Sequence, residues 1–79
     1  MAMYKDGSFL THSLDGVFDG DNHPGSTAPR SGIYRCMGCG REITSEESHP
    51  LPPQNHHQHG VGQGAIRWRL IVYADHRPK

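Results

Sequence analysis

The chain has 79 residues, with 8 Lys/Arg balanced by 8 Asp/Glu and 7 histidines beside them. Only 33% of residues are hydrophobic, while 10 are glycine and 6 proline. Such a chain makes one domain at most, under-supplied for a conventional core and in need of a disulfide, a metal or an oligomer to hold it. Zero net charge gives no global field to draw nucleic acid or a membrane surface.

No apolar run approaches membrane-spanning length. The N-terminus lacks a basic region followed by an apolar stretch, so no secretory signal is read there. The expected compartment is cytoplasmic, with no membrane partner. A cysteine pair there points to metal or redox chemistry rather than a structural disulfide.

Residues 1–30 read as a loop-rich N-terminal segment with at most short strands. Met3 to Thr11 suits a short strand after the Asp6-Gly7 turn. Leu14, Val17 and Phe18 have the spacing of a helical turn, which Gly16 and Gly20 oppose. From Asp19 to Pro29 turn formers dominate, and loop or disorder is expected. Asp15, Asp19, Asp21 and Asn22 invite a calcium reading. A loop begun at Asp19 puts His23 fifth, Pro24 at the glycine position and Arg30 at the terminal glutamate position, so the EF-hand pattern fails.

Residues 31–75 carry the organising features. Ile33-Tyr34-Arg35 reads as a strand leading into Cys36. Arg41 to Ser45 leaves the cysteine turn as a returning strand. Pro50, Pro52 and Pro53 exclude a helix through the next segment. Gly60-Val-Gly-Gln-Gly64 reads as a flexible connector. Ala65 to Tyr73 is the clearest strand, with Ile66, Trp68, Leu70 and Val72 on one face and Arg67, Arg69, Ile71 and Tyr73 on the other. Trp68 is expected at the centre of a small core. Residues 76–79 are a polar tail.

Cys36-Met-Gly-Cys39-Gly40 has the form of a metal knuckle. Two thiolates separated by two residues on a tight turn can share one ion, and the following glycine lets the backbone turn beneath them. The chain has only 2 cysteines, so the other ligands must be histidines. His56 and His59 repeat the two-residue gap, and the chain between the pairs is long enough for a strand and a second turn. The expected site is Cys36, Cys39, His56 and His59 around Zn2+. His57 competes for either histidine slot. His49 lies farther upstream, and a folded-back loop can bring His12 or His23.

Tyr34-Arg-Cys36-Met-Gly-Cys39-Gly40-Arg-Glu42, followed by Leu51-Pro-Pro53, resembles the short bacterial zinc-ribbon-type proteins. Those read tyrosine-x-cysteine-x-x-cysteine-glycine-x-glutamate, then a proline pair before a second knuckle. The resemblance covers roughly residues 31–59. It implies a small mostly-β, metal-stabilised fold, with a zinc-ribbon-like three-stranded antiparallel sheet whose last strand is Ala65 to Tyr73. The second knuckle of such ribbons is usually another cysteine pair, and here histidines stand in its place.

Four protein ligands leave no position for an activated water, so a non-enzymatic zinc-binding module is expected, contacting an unknown protein or nucleic acid. Arg67, Arg69, Arg35 and Arg41 are candidates for that contact, although arginines on a solvated strand face are equally explained by solubility. A redox pair lacks the usual βαβ setting. A metal- or redox-responsive protein is the alternative. So is an open zinc site of Cys36, Cys39 and one histidine, with Glu42 or a spare histidine as base.

Overall fold

β-Branched and aromatic residues suit a pleated, half-buried surface, and here they collect in three strands. In the computed structural model, which describes residues 1–54 and 56–75, these are β1 (Gly32–Cys36), β2 (Glu42–Ser45) and β3 (Trp68–Tyr73). The expected polar tail, 76–79, lies outside the described residues. β1 is central and antiparallel to both neighbours. On one side Tyr34 faces Ile43 and Arg35 faces Glu42. On the other Tyr34 faces Leu70 and Cys36 faces Trp68, after a register shift between Ile33 and Tyr34. That shift leaves Ile71 without a partner across the ladder, as a bulge does. The fold is thus small and mostly β, with a three-stranded antiparallel sheet.

Alternation along the strands decides what is buried. Tyr34 and Cys36 share one face of β1, Trp68 and Leu70 one face of β3, and all four are buried. Ala28, Leu51 and Ile66 come from irregular chain to close this face. A fully buried leucine or isoleucine contributes about 2 kcal/mol, and only three of the seven buried core residues are of that kind, so the core is thin and leaves room for another source of stability. The Tyr34 hydroxyl avoids desolvation cost by donating to the Arg30 carbonyl at 2.6 Å and accepting from Arg30 N at 3.1 Å. Gly32 is required by contact, because a Cβ there would overlap the Val72 carbonyl oxygen and the Tyr73 backbone.

Several local expectations change. Met3 to Thr11 forms no strand; Gly7–Phe9 is a 3-10 turn capped by Asp6, whose carboxylate accepts from Ser8 N and Ser8 Oγ. That local bonding competes with a strand ladder. Gly16–Phe18 is a second such turn, capped by Asp15. The Asp19 to Pro29 stretch is irregular but tied down. Asn22 exchanges backbone hydrogen bonds with Trp68 at 2.7 and 3.0 Å, and its side-chain amide adds a third at 3.1 Å. Ala28 N donates to the His49 carbonyl, and Leu51 N to that of Ser26. β3 starts three residues later than expected, because the Arg67 carbonyl accepts from Met37 N on the cysteine turn.

Candidate metal centre

The first half of the site grows out of β1. Cys36 is its last residue, and Met37 to Cys39 form the turn that follows. Cys36 N donates to the Arg41 carbonyl at 2.7 Å, and Gly40 N to the Cys36 carbonyl at 2.8 Å. Gly40 has φ +85°, a conformation that other residues enter only at a cost. Backbone hydrogen bonds therefore fix the knuckle without help from any ligand. Cys36 is buried and Cys39 exposed; both are free thiols.

The second half is a loop strapped across the knuckle. Leu51 anchors its start in the core, and Trp68 Nε1 donates to the Pro52 carbonyl at 3.2 Å. His56 N then donates to the Pro53 carbonyl at 2.9 Å, closing a turn. Beyond that turn His57 and His59, two residues apart, direct Nε2 toward the sulfurs. Cys39 Sγ lies 3.2 Å from His57 Nε2, and Cys36 Sγ lies 3.3 Å from His59 Nε2. The two Nε2 atoms are 3.0 Å apart.

Cys36, Cys39, His57 and His59 each offer a donor atom, and all four atoms lie within 4.8 Å of one another. Among the described residues this is the only such group. His56 is not in it. Its Nδ1 sits 2.9 Å from Nδ1 of His57, and its ring stands edge-on to Trp68. The sequence expectation relied on a repeated two-residue gap. The loop instead brings residues i and i+2 to one side, as extended chain does. His49 lies 4.0 Å from Glu46, and neither His12 nor His23 joins the group.

The geometry suits a small cation. A tetrahedral ion with bonds of about 2.0 Å to nitrogen and about 2.3 Å to sulfur has donor-to-donor edges of roughly 3.3–3.8 Å. The two sulfur-to-nitrogen separations, 3.2 and 3.3 Å, and the 3.0 Å between the Nε2 atoms are within a few tenths of an ångström of that range. Tautomers point the same way. A carbonyl can only accept, so His59 Nδ1 donates its proton to the Gly64 oxygen 2.6 Å away. That leaves a lone pair on Nε2 of the neutral ring, aimed into the cluster.

Electrostatics also favour the metal-ready protonation states. Burial pushes the Cys36 thiol up, but hydrogen bonds from the backbone at Arg67, Cys39 and Gly38, and from the Cys39 side chain, outweigh it and bring it down to about 7. The proton affinity of His57 is lowered by desolvation first, then by the positive charge of Arg41 and by His59 and His56. Thiolates and neutral imidazoles are the forms that bind metal.

Sequence reasoning missed two supports. Gly38 allows the loop to close, since a Cβ there would lie 2.6 Å from His59 Cε1 and 2.7 Å from the Gln63 carbonyl oxygen. The segment read as a flexible connector is a clamp. Gly60 N donates to Gln63 Oε1 at 2.6 Å, Gln63 N donates back to the Gly60 carbonyl at 3.2 Å, and Gly62 and Gly64 adopt positive φ. The glycines at alternate positions were the available signal.

The arginines divide. Arg69 is tied to Asp21 through Nε and Nη2, at 2.9 and 2.8 Å. Arg35 lies 3.9 Å from Glu42. Arg41 and Arg67 are exposed beside the knuckle. Asp15, Asp21 and Asn22, from the acidic stretch, are engaged in a cap, an ion pair and a bridge.

A small mostly-β chain with a clustered Cys2His2 set is therefore the class that the fold and the site define. The chain is 60% identical over 53 residues to a protein of Escherichia coli named Protein L, a match that covers 67% of this chain and 60% of that relative. The chain thus spans less than two thirds of the relative's length, and the relative's name states no activity. No family model and no solved structure matches. No helix among the described residues is long and apolar enough to cross a membrane.

Proposed function

We propose that this is a small, non-enzymatic zinc-binding protein in which Cys36, Cys39, His57 and His59 hold one Zn2+ that fastens the histidine loop to the sheet. The observation that carries this reading is the convergence of four donor atoms within 4.8 Å, supplied by two segments that meet over the buried Trp68. Two sulfurs and two imidazole nitrogens are a donor set typical of structural zinc. Bound there, zinc supplies cross-linking energy that a thin core lacks. Four protein donors leave no open position for water, which favours a structural over a catalytic ion. Free thiols in such a site suit a reducing, cytoplasmic compartment.

The test is metal analysis of the purified protein, with amide NMR before and after chelation. One zinc per chain and collapse of the amide dispersion on chelation are expected. A metal-free protein with full dispersion overturns the reading.

The module's role is contact with another macromolecule, and the surface that supports it is the knuckle rim. Arg41 and Arg67 offer exposed guanidinium groups there, suited to phosphate or to an acidic protein surface. Titration of labelled RNA and DNA at low salt separates these. Salt-sensitive binding lost in Arg41→Ala plus Arg67→Ala supports a nucleic-acid partner. Absence of binding assigns the rim to protein contact or to solvent.

A further inference from the structure

We propose that His56 is a positioning residue for His57: it accepts a hydrogen bond that fixes the tautomer and ring orientation of His57, and is not itself a metal ligand. The inference rests on the four-ligand reading above and assigns a role to a histidine which that reading leaves over.

Three observations support it. The two Nδ1 atoms are 2.9 Å apart, a hydrogen-bond distance at which one ring must donate and the other accept. Nε2 of His57 is directed at Cys39 Sγ, 3.2 Å away, and at Nε2 of His59, 3.0 Å away. A neutral imidazole that offers the Nε2 lone pair keeps its proton on Nδ1, so His57 is the donor and His56 the acceptor. Finally, His56 is held in place from two sides. Its backbone N–H donates to Pro53, and its ring lies edge-on to Trp68 at 5.8 Å and to His57 at 5.1 Å.

The arrangement mirrors the one at His59, whose Nδ1 proton goes to the Gly64 carbonyl at 2.6 Å. Each imidazole then has an acceptor behind it and a sulfur in front. Residues that hold a metal-binding histidine in this way are commonly worth about 10- to 100-fold in metal affinity. His56 itself is exposed, so it acts from the solvent side of the cluster.

Cobalt(II) is the probe, because its absorption bands report both the number of thiolates and the tetrahedral geometry. The full chain is titrated as wild type, His56→Ala, His56→Asn and His57→Ala. Asparagine places an amide oxygen near the former Nδ1 and can accept the same hydrogen bond without replacing an imidazole ligand. His56→Ala is expected to keep the wild-type band shape and stoichiometry while affinity falls about 10- to 100-fold. His56→Asn should recover most of that loss, and His57→Ala should change the bands themselves. Unchanged affinity in His56→Ala overturns the proposal while leaving the four-ligand site intact. A tetrahedral spectrum lost in His56→Ala but kept in His57→Ala also overturns the proposal, and makes His56 the ligand in place of His57. A wild type that takes up neither cobalt nor zinc overturns the metal reading itself, and this inference with it.

Discussion

The two halves of the candidate site are built by different means. The cysteine half is a turn at the end of the central strand, fixed by backbone hydrogen bonds of 2.7 and 2.8 Å and by Gly40 at φ +85°. The histidine half is a loop whose rings are held by side-chain and carbonyl contacts rather than by a backbone ladder: Gly64 behind His59, Trp68 against His56, Pro52 on the Trp68 indole. The sheet preorganises one pair of donors. The other pair is brought up by a strap with little regular structure of its own. An ion joining them contributes most to the half that has least else to hold it.

The largest expected effect is loss of a buried sulfur. Cys36 is fully buried and faces Trp68 across the ladder. Cys36→Ser keeps the size but replaces a strong zinc ligand with a hydroxyl. Uptake of zinc or cobalt should be abolished, with NMR amide dispersion lost first for residues 56–64. If the fold and metal uptake survive in Cys36→Ser, the ion is not what joins the halves.

Acid should separate the halves next. The folded value of Cys36 is depressed from 9.0 to about 7. Its contribution to stability is therefore full above the unfolded value and lost as pH falls through 7. His57 is also lowered from its ordinary 6.5, so its contribution is present above that value and lost below it. Both effects have the same sign, and protons also compete with the ion for its donors. Cobalt affinity and urea stability should both decline from pH 9 toward pH 6. A rise in stability over that range contradicts the assignment.

The contrast also explains what was readable from sequence. The sheet was legible because Ile33-Tyr34-Arg35 and Trp68-Arg69-Leu70 alternate, and alternation sets burial there; beyond Leu70 the register shift breaks the pattern, and Tyr73, expected on the opposite face, packs against the core. The knuckle was legible because its spacing is local. The choice between His56 and His57 was not. It depends on where the Pro53 turn ends, which decides the ring that reaches Cys39; both rings lie edge-on to Trp68 at 5.8 Å, so that contact does not choose between them. The clamp at Gly60 to Gly64 was hidden for a similar reason, since its bonds join a side-chain amide and a histidine to backbone atoms that composition cannot rank. The ordering of Asn22 to Ala28 comes from pairing with Trp68 and His49, both distant in sequence.

A smaller effect should follow from one methyl group at the meeting of the halves. Gly38 has no positive φ, so alanine there strains no backbone, and its cost is contact alone. The new Cβ would meet His59 Cε1 at 2.6 Å and the Gln63 carbonyl at 2.7 Å. The ring can yield, but the carbonyl belongs to the clamp. Gly38→Ala should weaken cobalt affinity by about 1–3 kcal/mol, the usual range for overpacking, with the β-sheet amide shifts unmoved. Gly60→Ala is the control, since its Cβ would find only the Gln63 side-chain amide, at 3.6 and 3.9 Å. Equal affinities in the two variants would show that the loop closes without needing space at Gly38.

The smallest expected effect lies on the sheet, away from the strap. Asp21 holds Arg69, and Arg69 faces Arg35 directly across the ladder. Both partners are partly exposed, with side chains 40% and 32% accessible, so the pair itself is worth about 0.2–1 kcal/mol and less in salt. The two single substitutions should nonetheless differ. Arg69→Ala removes the pair together with a like charge opposite Arg35, and these offset. Asp21→Ala leaves two guanidinium groups facing each other with only Glu42, 3.9 Å from Arg35, to compensate. Urea unfolding at low salt should therefore rank Asp21→Ala below Arg69→Ala, with the gap closing at high salt as screening grows. The opposite ranking, or a gap insensitive to salt, would mean that Asp21 acts through the packing of its loop rather than through charge.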